Sequence, residues 1–360
     1  MTPRERILGT LNRTPIDRTP VDIWHTPEVL DALRAHTGSQ DALEVYRRLG
    51  LDKIVWAAPA YEPRPKQPNE DRARSMWDAW GVRTRTVKSG AATYEEVTDP
   101  PFADYTDPAQ LEDYAYWPDL DKFDYAAGKK NAERAREFGF ATIGPWISHF
   151  EIYCGMRGLE NAMMDVIAEP EFLDASLDKI GRIQAAMLDR FLAEMGDLVD
   201  IVFISDDMGS QESLLISLGA WDRFLHERVA NWCKIVHRHG KKAMFHSDGA
   251  VRELIPRLIH CGVDILNPIQ HICPGMEMKS LKRDFGDSLV FYGGVENQSI
   301  LPFGSRADVE NEVLHCLNEL GEGGGYICAS CHNIQAGTPV ENILALIETV
   351  HKHGASVLKS

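Results

Sequence analysis

The chain has 360 residues, of which 44% are hydrophobic and 26% are charged, and its formal net charge at pH 7 is -16. This composition is typical of a globular protein, and the acidic excess excludes nucleic acid as an expected partner because phosphate binding depends on Lys and Arg. The sequence has no apolar run that could cross a bilayer and no apolar secretion signal in residues 1–6, so we expect a cytoplasmic protein without membrane contact.

The first third of the chain is irregular but contains periodic segments. Residues 2–11 predict a short capped helix, and residues 20–24 predict a first buried strand. Residues 76–82, followed by two alternating runs up to residue 97, predict a small hairpin inserted after an early strand.

From about residue 139 the sequence alternates short apolar runs with longer amphipathic segments. The predicted strands are 140–143, 201–204, 242–245, 264–268, 289–294 and 325–328, and the predicted helices are 170–195, 218–239, 251–261 and 340–353. Repeated strand and helix units require parallel strands with right-handed crossovers, and this number of units favours a closed barrel. The sequence therefore predicts one α/β domain over residues 1–360, a (β/α)8 TIM barrel with a small N-terminal hairpin insertion.

The strongest chemical signal follows the strand at 242–245, where His246 and Asp248 lie two residues apart. At this spacing both side chains can lie on one side of an extended segment, and His and Asp are suitable ligands for zinc. In the alternative interpretation, His246 ends the strand and Asp248 caps the next helix. We expect both residues to belong to a site at the carboxyl ends of the strands.

A second signal is Cys328-x-x-Cys331 followed by His332. A haem attachment site of this pattern belongs to exported proteins, and a structural zinc knuckle needs a second cysteine pair that the sequence lacks. We expect Cys328 in the core, whereas Cys331 and His332 come just after the strand, where they can join His246. Most of the seven cysteines are expected to be reduced core residues.

Other polar and aromatic residues also follow predicted strands. Of the adjacent pair Asp206 and Asp207, we select Asp206 as the residue that enters the pocket as a proton acceptor or substrate anchor. Glu151 is a further catalytic candidate. The candidates for substrate binding are Trp24, His25, Trp146, Tyr153, Asn267 and Glu296. For each of these, capping, loop hydrogen bonding or core packing is the alternative.

The order and spacing of these segments resemble the uroporphyrinogen decarboxylase superfamily over nearly the whole chain. The segments that carry the resemblance are 4–6, 15–21, 206–209, 246–249, 262–268, 293–296, 332–335 and 339–343. The superfamily includes the decarboxylase of the haem pathway and methyltransferases that move methyl groups between small substrates, coenzyme thiols and a corrinoid protein. The resemblance implies an enzyme on a (β/α)8 barrel.

One departure from the decarboxylase favours the methyltransferase branch. The decarboxylase is similar at its first strand but continues into an arginine-rich segment, whereas residues 22–27 here contain no arginine. A pocket that binds several carboxylates without guanidinium groups would leave buried charge uncompensated. This argues against uroporphyrinogen as the substrate but leaves a smaller acid open.

The metal site departs from the thiol-activating methyltransferases, which resemble this chain but have a His-x-Cys pair where it has His246 and Asp248. A carboxylate in place of a thiolate makes the set of metal ligands harder, in the sense of hard and soft bases, and less electron-rich. Our hypothesis is that Zn²⁺ on His246, Asp248 and Cys331 polarises the oxygen of a methyl ether, with methoxyaromatic compounds as one candidate class, whose methyl group leaves to cobalamin or a corrinoid protein. The sequence also leaves open whether the protein forms a homodimer.

Two alternatives remain at this point. One is a cofactor-independent decarboxylase of a tetrapyrrole or smaller acid, in which Asp206 or His332 handles the proton. The other is a corrinoid- or tetrapyrrole-binding protein without catalytic activity. A barrel mouth with several carboxylates and imidazoles argues against the second alternative, because such groups have no structural need there.

Overall fold

A computed structural model describes residues 1–61, 76–89 and 92–358, and its centre is a curled parallel sheet. In chain order, the strands are β1 (Ile54–Trp56), β2 (Ala60–Tyr61), β3 (Arg83–Ser89), β4 (Ala92–Asp99), β5 (Phe123–Asp124), β6 (Ala141–Ile147), β7 (Ile201–Ser205), β8 (Lys242–His246), β9 (Ile265–Ile269), β10 (Val290–Val295) and β11 (Tyr326–Ser330). Seven of them form the parallel sheet in the order β1-β6-β7-β8-β9-β10-β11. Strands β2 and β5 form a separate short pair.

The helices surround the parallel sheet, mostly on its outer face, and the first of them instead contributes Ile7 and Leu11 to the inner face. They are α1 (Pro3–Leu11), α2 (Pro27–Thr37), α3 (Ala42–Leu49), α4 (Tyr125–Glu137), α5 (Phe150–Arg157), α6 (Leu159–Asp165), α7 (Pro170–Met195), α8 (Leu218–Phe224), α9 (His226–Arg238), α10 (Ile255–Cys261), α11 (Met278–Phe285), α12 (Ile300–Phe303), α13 (Arg306–Leu320) and α14 (Val340–His353). Within the described ranges, no helix combines the length and the apolar character that a bilayer crossing requires.

The strands bury both of their faces, which explains why they are continuous apolar runs in the sequence. In β7, Ile201 and Phe203 point into an inner cluster to which all seven strands contribute, whereas Val202 and Ile204 pack against the helices. An inner cluster shared by the first and last strands requires the sheet to curl. The carboxyl ends of the strands, where the sequence predicts the site, therefore lie at one end of a packed core.

The predicted first strand, 20–24, is not a regular strand in the structure. Val21 makes a single parallel bridge to Cys328 of β11, flanked by hydrogen bonds from the Cys328 amide to the Pro20 carbonyl (2.9 Å) and from the Asp22 amide to the Cys328 carbonyl (3.0 Å). The Val21 carbonyl accepts a hydrogen bond from the Asp52 amide next to β1 (2.7 Å). The segment thus contacts both edges of the sheet, but it is too short to be a regular strand.

Most other predicted elements are confirmed within a few residues. The N-terminal helix begins at the predicted cap, where Thr2 and Glu5 form a capping box. Strands β3 and β4 pair in an antiparallel fashion, so the inserted hairpin is confirmed. The prediction of a single helix over 218–239 was wrong, because the helix is interrupted at Leu225 between α8 and α9.

A buried carboxylate ties the N-terminal segment to the sheet. Asp52 is fully buried, and its side chain forms ion pairs with Arg6 of α1 and with Arg18 (2.6 Å). The same carboxylate accepts a hydrogen bond from the Val21 amide (2.9 Å). Removing the charge would leave two cations without their buried partner.

We expect Asp52→Asn to lower the free energy of unfolding by about 3 kcal/mol, because breaking one partner of a buried ion pair leaves the other uncompensated. Urea denaturation followed by circular dichroism measures the change. The matched control is Asp31→Asn, which removes an exposed pair with Arg34 (2.8 Å) and should leave the midpoint unchanged. Equal midpoints for both variants would contradict a structural role for Asp52.

Candidate active site

Polar loops that follow β7, β8 and β11 meet at one end of the sheet. His246 ends β8 and Asp248 follows it, while His332 lies in the loop after β11. One nitrogen or oxygen atom from each of these three side chains lies within 4.8 Å of the others, and we call this group the His–Asp–His cluster. Imidazole nitrogen and carboxylate oxygen are the ligand types of zinc and related divalent ions, so the donor set fits such an ion.

The orientation of His246 is set by Asn267 of β9. The Nδ1 atom of His246 lies 2.6 Å from Oδ1 of Asn267, and both side chains are buried. An amide oxygen only accepts hydrogen bonds, so Nδ1 carries the proton and donates it. The Nε2 atom of His246 then faces the carboxylate of Asp207 at 3.7 Å. Asn267 therefore supports the site through His246 rather than lining a cavity.

Burial and neighbouring charges set the protonation of the cluster. Burial opposes the charged form of His246, but the carboxylates of Asp207 and Asp248 outweigh it and raise the pKa of His246. Burial raises the pKa of Asp248 against the opposing effect of the two imidazoles. Burial lowers the pKa of His332, which keeps this imidazole neutral and able to act as a ligand.

Two glycines allow the loops after β7 and β8 to pack backbone against backbone. A Cβ atom at Gly249 would come within 2.3 Å of the Ser210 carbonyl, and one at Gly209 within 2.4 Å of the Asp248 carbonyl. The Asp248 amide donates to Oδ1 of Asp207 (2.9 Å) across the same contact. The sequence Asp-Gly after β8 thus holds Asp248 in place.

The structure corrects the choice between Asp206 and Asp207. Asp206 is fully buried and turns away from the cavity to cap α5, accepting hydrogen bonds from the Ser148 hydroxyl (2.6 Å) and from the amides of residues 149–151. Burial raises the pKa of Asp206 to about 6, against these hydrogen bonds, which lower it. Asp207 lines the cavity instead. Adjacent residues face opposite ways, and the cap requires Asp206.

Glu151 of α5 also lines this cavity, as the sequence predicted for a catalytic candidate. Its Oε1 atom accepts a hydrogen bond from the Ser205 hydroxyl (2.6 Å) and lies 3.3 Å from the Asp207 amide. Burial, followed by the negative charges of Asp207 and Asp206, raises the pKa of Glu151 to about 7. A carboxyl group with such a pKa can donate or accept a proton near neutral pH.

The cavity on this side of the cluster is largely aromatic, and we call it the aromatic cavity. It measures about 380 Å³ and is lined by Trp24, His25, Tyr46, Lys53, Trp56, Trp146, Glu151, Phe203, Ser205, Asp207, His246, His332 and Asn333. The ring of Phe203 lies 5.4 Å from Trp24 and 5.1 Å from Trp56 between centroids. The structure thus brings together three of the residues predicted for substrate binding, Trp24, His25 and Trp146.

Two other predicted substrate-binding residues have structural roles and do not line the cavity. Tyr153 is fully buried, and its hydroxyl donates to Asp165, which also pairs with Arg157 (2.6 Å). Glu296 caps α12 by accepting hydrogen bonds from the amides of Ser299 (2.8 Å) and Ile300 (2.7 Å). Each side chain satisfies a partner that the sequence pattern does not reveal, which places both residues outside the lining of the aromatic cavity.

Cys331 was predicted as a metal ligand, but the structure has His332 in the cluster instead. The Sγ atom of Cys331 donates to the Ile269 carbonyl (3.2 Å), and burial raises the pKa of this thiol well above its usual value. A protonated thiol that is bound to a carbonyl is a poor metal ligand. His332, which we predicted as a catalytic residue, contributes the third donor.

Sequence reasoning missed part of the cavity wall. Tyr46, Lys53, Phe203, Ser205 and Asn333 line it without having been selected. Lys53 is buried and donates to Asp22 (3.0 Å) and to the Ile23 carbonyl (2.6 Å). No sequence pattern marks Lys53, whereas Ser205 and Asn333 could have been selected because they lie at strand ends.

The family model described as uroporphyrinogen decarboxylase (URO-D) matches residues 93–353. No curated protein sequence is significantly similar to the chain. The solved structure of a methyltransferase from Methanosarcina mazei is similar with a TM-score of 0.70 and 18% sequence identity, covering 98% of this chain and 99% of that chain. At this identity the likeness concerns the fold.

Other solved structures are more distant. Dispersin B has a TM-score of 0.44 and 12% identity, covering 94% of this chain and 99% of its own. A D-psicose 3-epimerase has a TM-score of 0.41 and 11% identity, covering 67% of this chain and 86% of its own. These scores are too low to inform the site.

We expect each of three single variants to lower the affinity for zinc at least about tenfold: His246→Ala, Asp248→Ala and His332→Ala. A loss of this size is typical even when the replaced residue only supports a metal ligand, so the loss of a ligand itself should cost at least as much. Competition with a chromogenic chelator measures this affinity. The matched control is Cys331→Ala, which should bind zinc like the unaltered protein. Loss of zinc in the Cys331 variant together with retention in the His332 variant would contradict the His–Asp–His cluster.

Proposed function

The chain belongs to the uroporphyrinogen decarboxylase family, and from this premise we propose that it is a corrinoid-dependent methyltransferase. Its substrate is a small O-methylated compound of the methoxyaromatic class, and its acceptor is cobalamin or the corrinoid of a partner protein. The observation that carries this proposal is the aromatic cavity, which opens directly onto the His–Asp–His cluster.

The walls of the cavity suit a flat aromatic substrate. Trp24 lies close to both Trp56 (6.1 Å between centroids) and His246 (6.3 Å), so the aromatic surface extends up to the cluster. Aromatic side chains bind rings through offset or edge-to-face contacts. A methoxy group on a ring held in this cavity would lie beside the donors of the cluster.

The charges of the cavity do not suit a tetrapyrrole with many carboxylates. Among the described residues that line it, Lys53 is the only Lys or Arg. Its charge is balanced by Asp22, which also accepts a hydrogen bond from Tyr292 (2.8 Å). Several substrate carboxylates would remain unpaired next to Glu151 and Asp207. This weighs against the decarboxylase alternative.

The similar structure from Methanosarcina mazei is that of a methyltransferase, which is consistent with the same class of reaction. We also propose that residues 1–360 form one domain, a (β/α)8 barrel in which the segment at Val21 completes the ring. The proposed partners are a small-molecule methyl donor and a corrinoid protein, and the proposed location is the cytoplasm.

The proposed reaction divides the work among the residues of the site. A divalent ion such as zinc on His246, Asp248 and His332 would supply Lewis acidity toward the ether oxygen. The cobalt(I) of the corrinoid substrate would donate its electron pair to the methyl carbon, so that a cobalt–carbon bond would form as the carbon–oxygen bond breaks and leaves its electron pair on the oxygen. Glu151 then supplies the proton that makes the alcohol or phenol, while the aromatic side chains hold the ring and exclude water.

We expect protein purified without a chelator to contain near-stoichiometric zinc and to form methylcobalamin from cob(I)alamin and a methoxylated aromatic compound. Anaerobic absorbance spectroscopy over a panel of such compounds measures the methylcobalamin that forms, and metal analysis measures the zinc content. Protein stripped of metal serves as the control and should be inactive. Formation of coproporphyrinogen from uroporphyrinogen without a corrinoid would instead establish the decarboxylase alternative.

The rate should fall as the pH rises through about 7, because Glu151 is protonated below its raised pKa and loses the proton above it. Glu151→Gln should lower kcat by about 100-fold, a magnitude typical of general acid catalysis, and should remove this limb of the pH profile. The matched control is Glu160→Gln on α6, where the side chain is exposed. An unchanged pH profile in the Glu151 variant would exclude Glu151 as the acid.

A further inference from the structure

A second cavity borders the His–Asp–His cluster at Asp248 and His332. It measures about 490 Å³ and is lined by Gln211, Asp248, Gln270, Asn297, Gln298, Pro302, Phe303, Cys331, His332, Gln335, Ala336 and Gly337. We call it the amide cavity because five of these side chains are carboxamides. His332 lines both this cavity and the aromatic cavity, so the two cavities adjoin at the cluster.

The amide wall presents both donors and acceptors of hydrogen bonds. The Oε1 atom of Gln270 accepts a bond from the Gly249 amide (2.8 Å), whereas Asn297 and Gln335 donate from their side-chain nitrogen atoms to the Asn333 carbonyl (3.4 and 2.9 Å). A carboxamide has two donor and two acceptor positions, so one internal bond does not exhaust Gln270 or Asn297. A ligand that pairs with such a wall must itself both donate and accept.

The side chains of the amide cavity do not suit a ligand with several anionic groups. Among the described residues, no Lys or Arg lines it. Several carboxylates spread around a ring would find no side-chain cation to pair with, because an ion bound by the His–Asp–His cluster is already shared with Asp248. The rim adds an exposed apolar surface at Phe303, whose side chain is 84% exposed.

We propose that the amide cavity is the subsite of the methyl acceptor and that it recognises primary carboxamides on the rim of a corrin ring. The inference rests on the proposed methyltransferase function. A methyl transfer needs separate places for donor and acceptor beside the same reacting group, and the two cavities share His332 while each has its own remaining lining. Carboxamides pair with the amide wall, while Phe303 contacts the apolar edge of the ring.

Equilibrium dialysis of the full-length protein against cobinamide, which carries carboxamides, and against cobyrinic acid, which carries carboxylates, tests the ligand class. We expect cobinamide to bind at least about tenfold more tightly than cobyrinic acid. One or two lost hydrogen bonds account for a ratio of this size, and the unpaired carboxylates of cobyrinic acid increase it. Equal affinity for the two corrinoids would overturn the proposal.

Variants of the wall locate the binding. The double variant Gln298→Leu with Gln335→Leu should bind cobinamide about tenfold more weakly, because each lost hydrogen bond contributes about 1 kcal/mol. Gln298 is exposed, so its replacement should not disturb the core, and Gln298→Lys should shift the preference toward cobyrinic acid. The matched control is Gln40→Leu, an exposed glutamine before α3, which should bind like the unaltered protein.

The outcomes separate this proposal from the proposed function. If methylcobalamin forms but the double variant keeps the KM for cobalamin of the unaltered protein, the enzyme is a methyltransferase and the amide cavity is not its acceptor subsite. If cobinamide binds as expected but no methoxylated compound yields methylcobalamin, the subsite stands and the methyl donor assignment fails. Loss of cobinamide binding in Trp56→Leu alone would put the corrin in the aromatic cavity and overturn the proposal.

Discussion

The cap formed by Asp206 at the start of α5 is the interaction on which the site depends. Its carboxylate binds the backbone amides of residues 149–151 and the Ser148 hydroxyl, so it joins the end of β7 to the first turn of α5. This contact positions Glu151 on one side and turns Asp207 toward the cavity on the other. Asp207 in turn accepts a hydrogen bond from the Asp248 amide, so the cap formed by Asp206, which does not line the aromatic cavity, also aligns the cluster.

The acidic character of the site follows from the same geometry. Asp207, Asp248 and Glu151 surround the buried side chain of His246, and carboxylates placed so close together are costly unless they are paired or protonated. Two raised pKa values reduce this cost. The raised pKa of Glu151 favours its neutral, protonated form, and the raised pKa of His246 favours a positive charge beside the carboxylates. A divalent cation bound by the cluster would balance the remaining charge.

Local sequence predicted the elements that depend on local interactions. The capped helix α1, the helix over 170–195 and the strands from β7 to β11 all follow from periodicity and capping residues, because one face of each helix and both faces of each strand are buried. The break at Leu225 and the loss of regular pairing at 20–24 escaped prediction. The pairing of residues 20–24 is decided by Cys328 and Asp52, which are distant from this segment in the sequence.

The sequence by itself determined that His246, Asp248, His332 and Glu151 lie at strand ends of an α/β fold, because each follows an apolar run whose carboxyl end must meet the others at one edge of the sheet. Only the tertiary structure decided which side chains face a cavity. Asp206, Tyr153 and Glu296 turn to caps and buried partners, and Cys331 bonds a carbonyl. A side chain at a strand end satisfies whichever partner lies nearest, and that partner comes from another part of the chain.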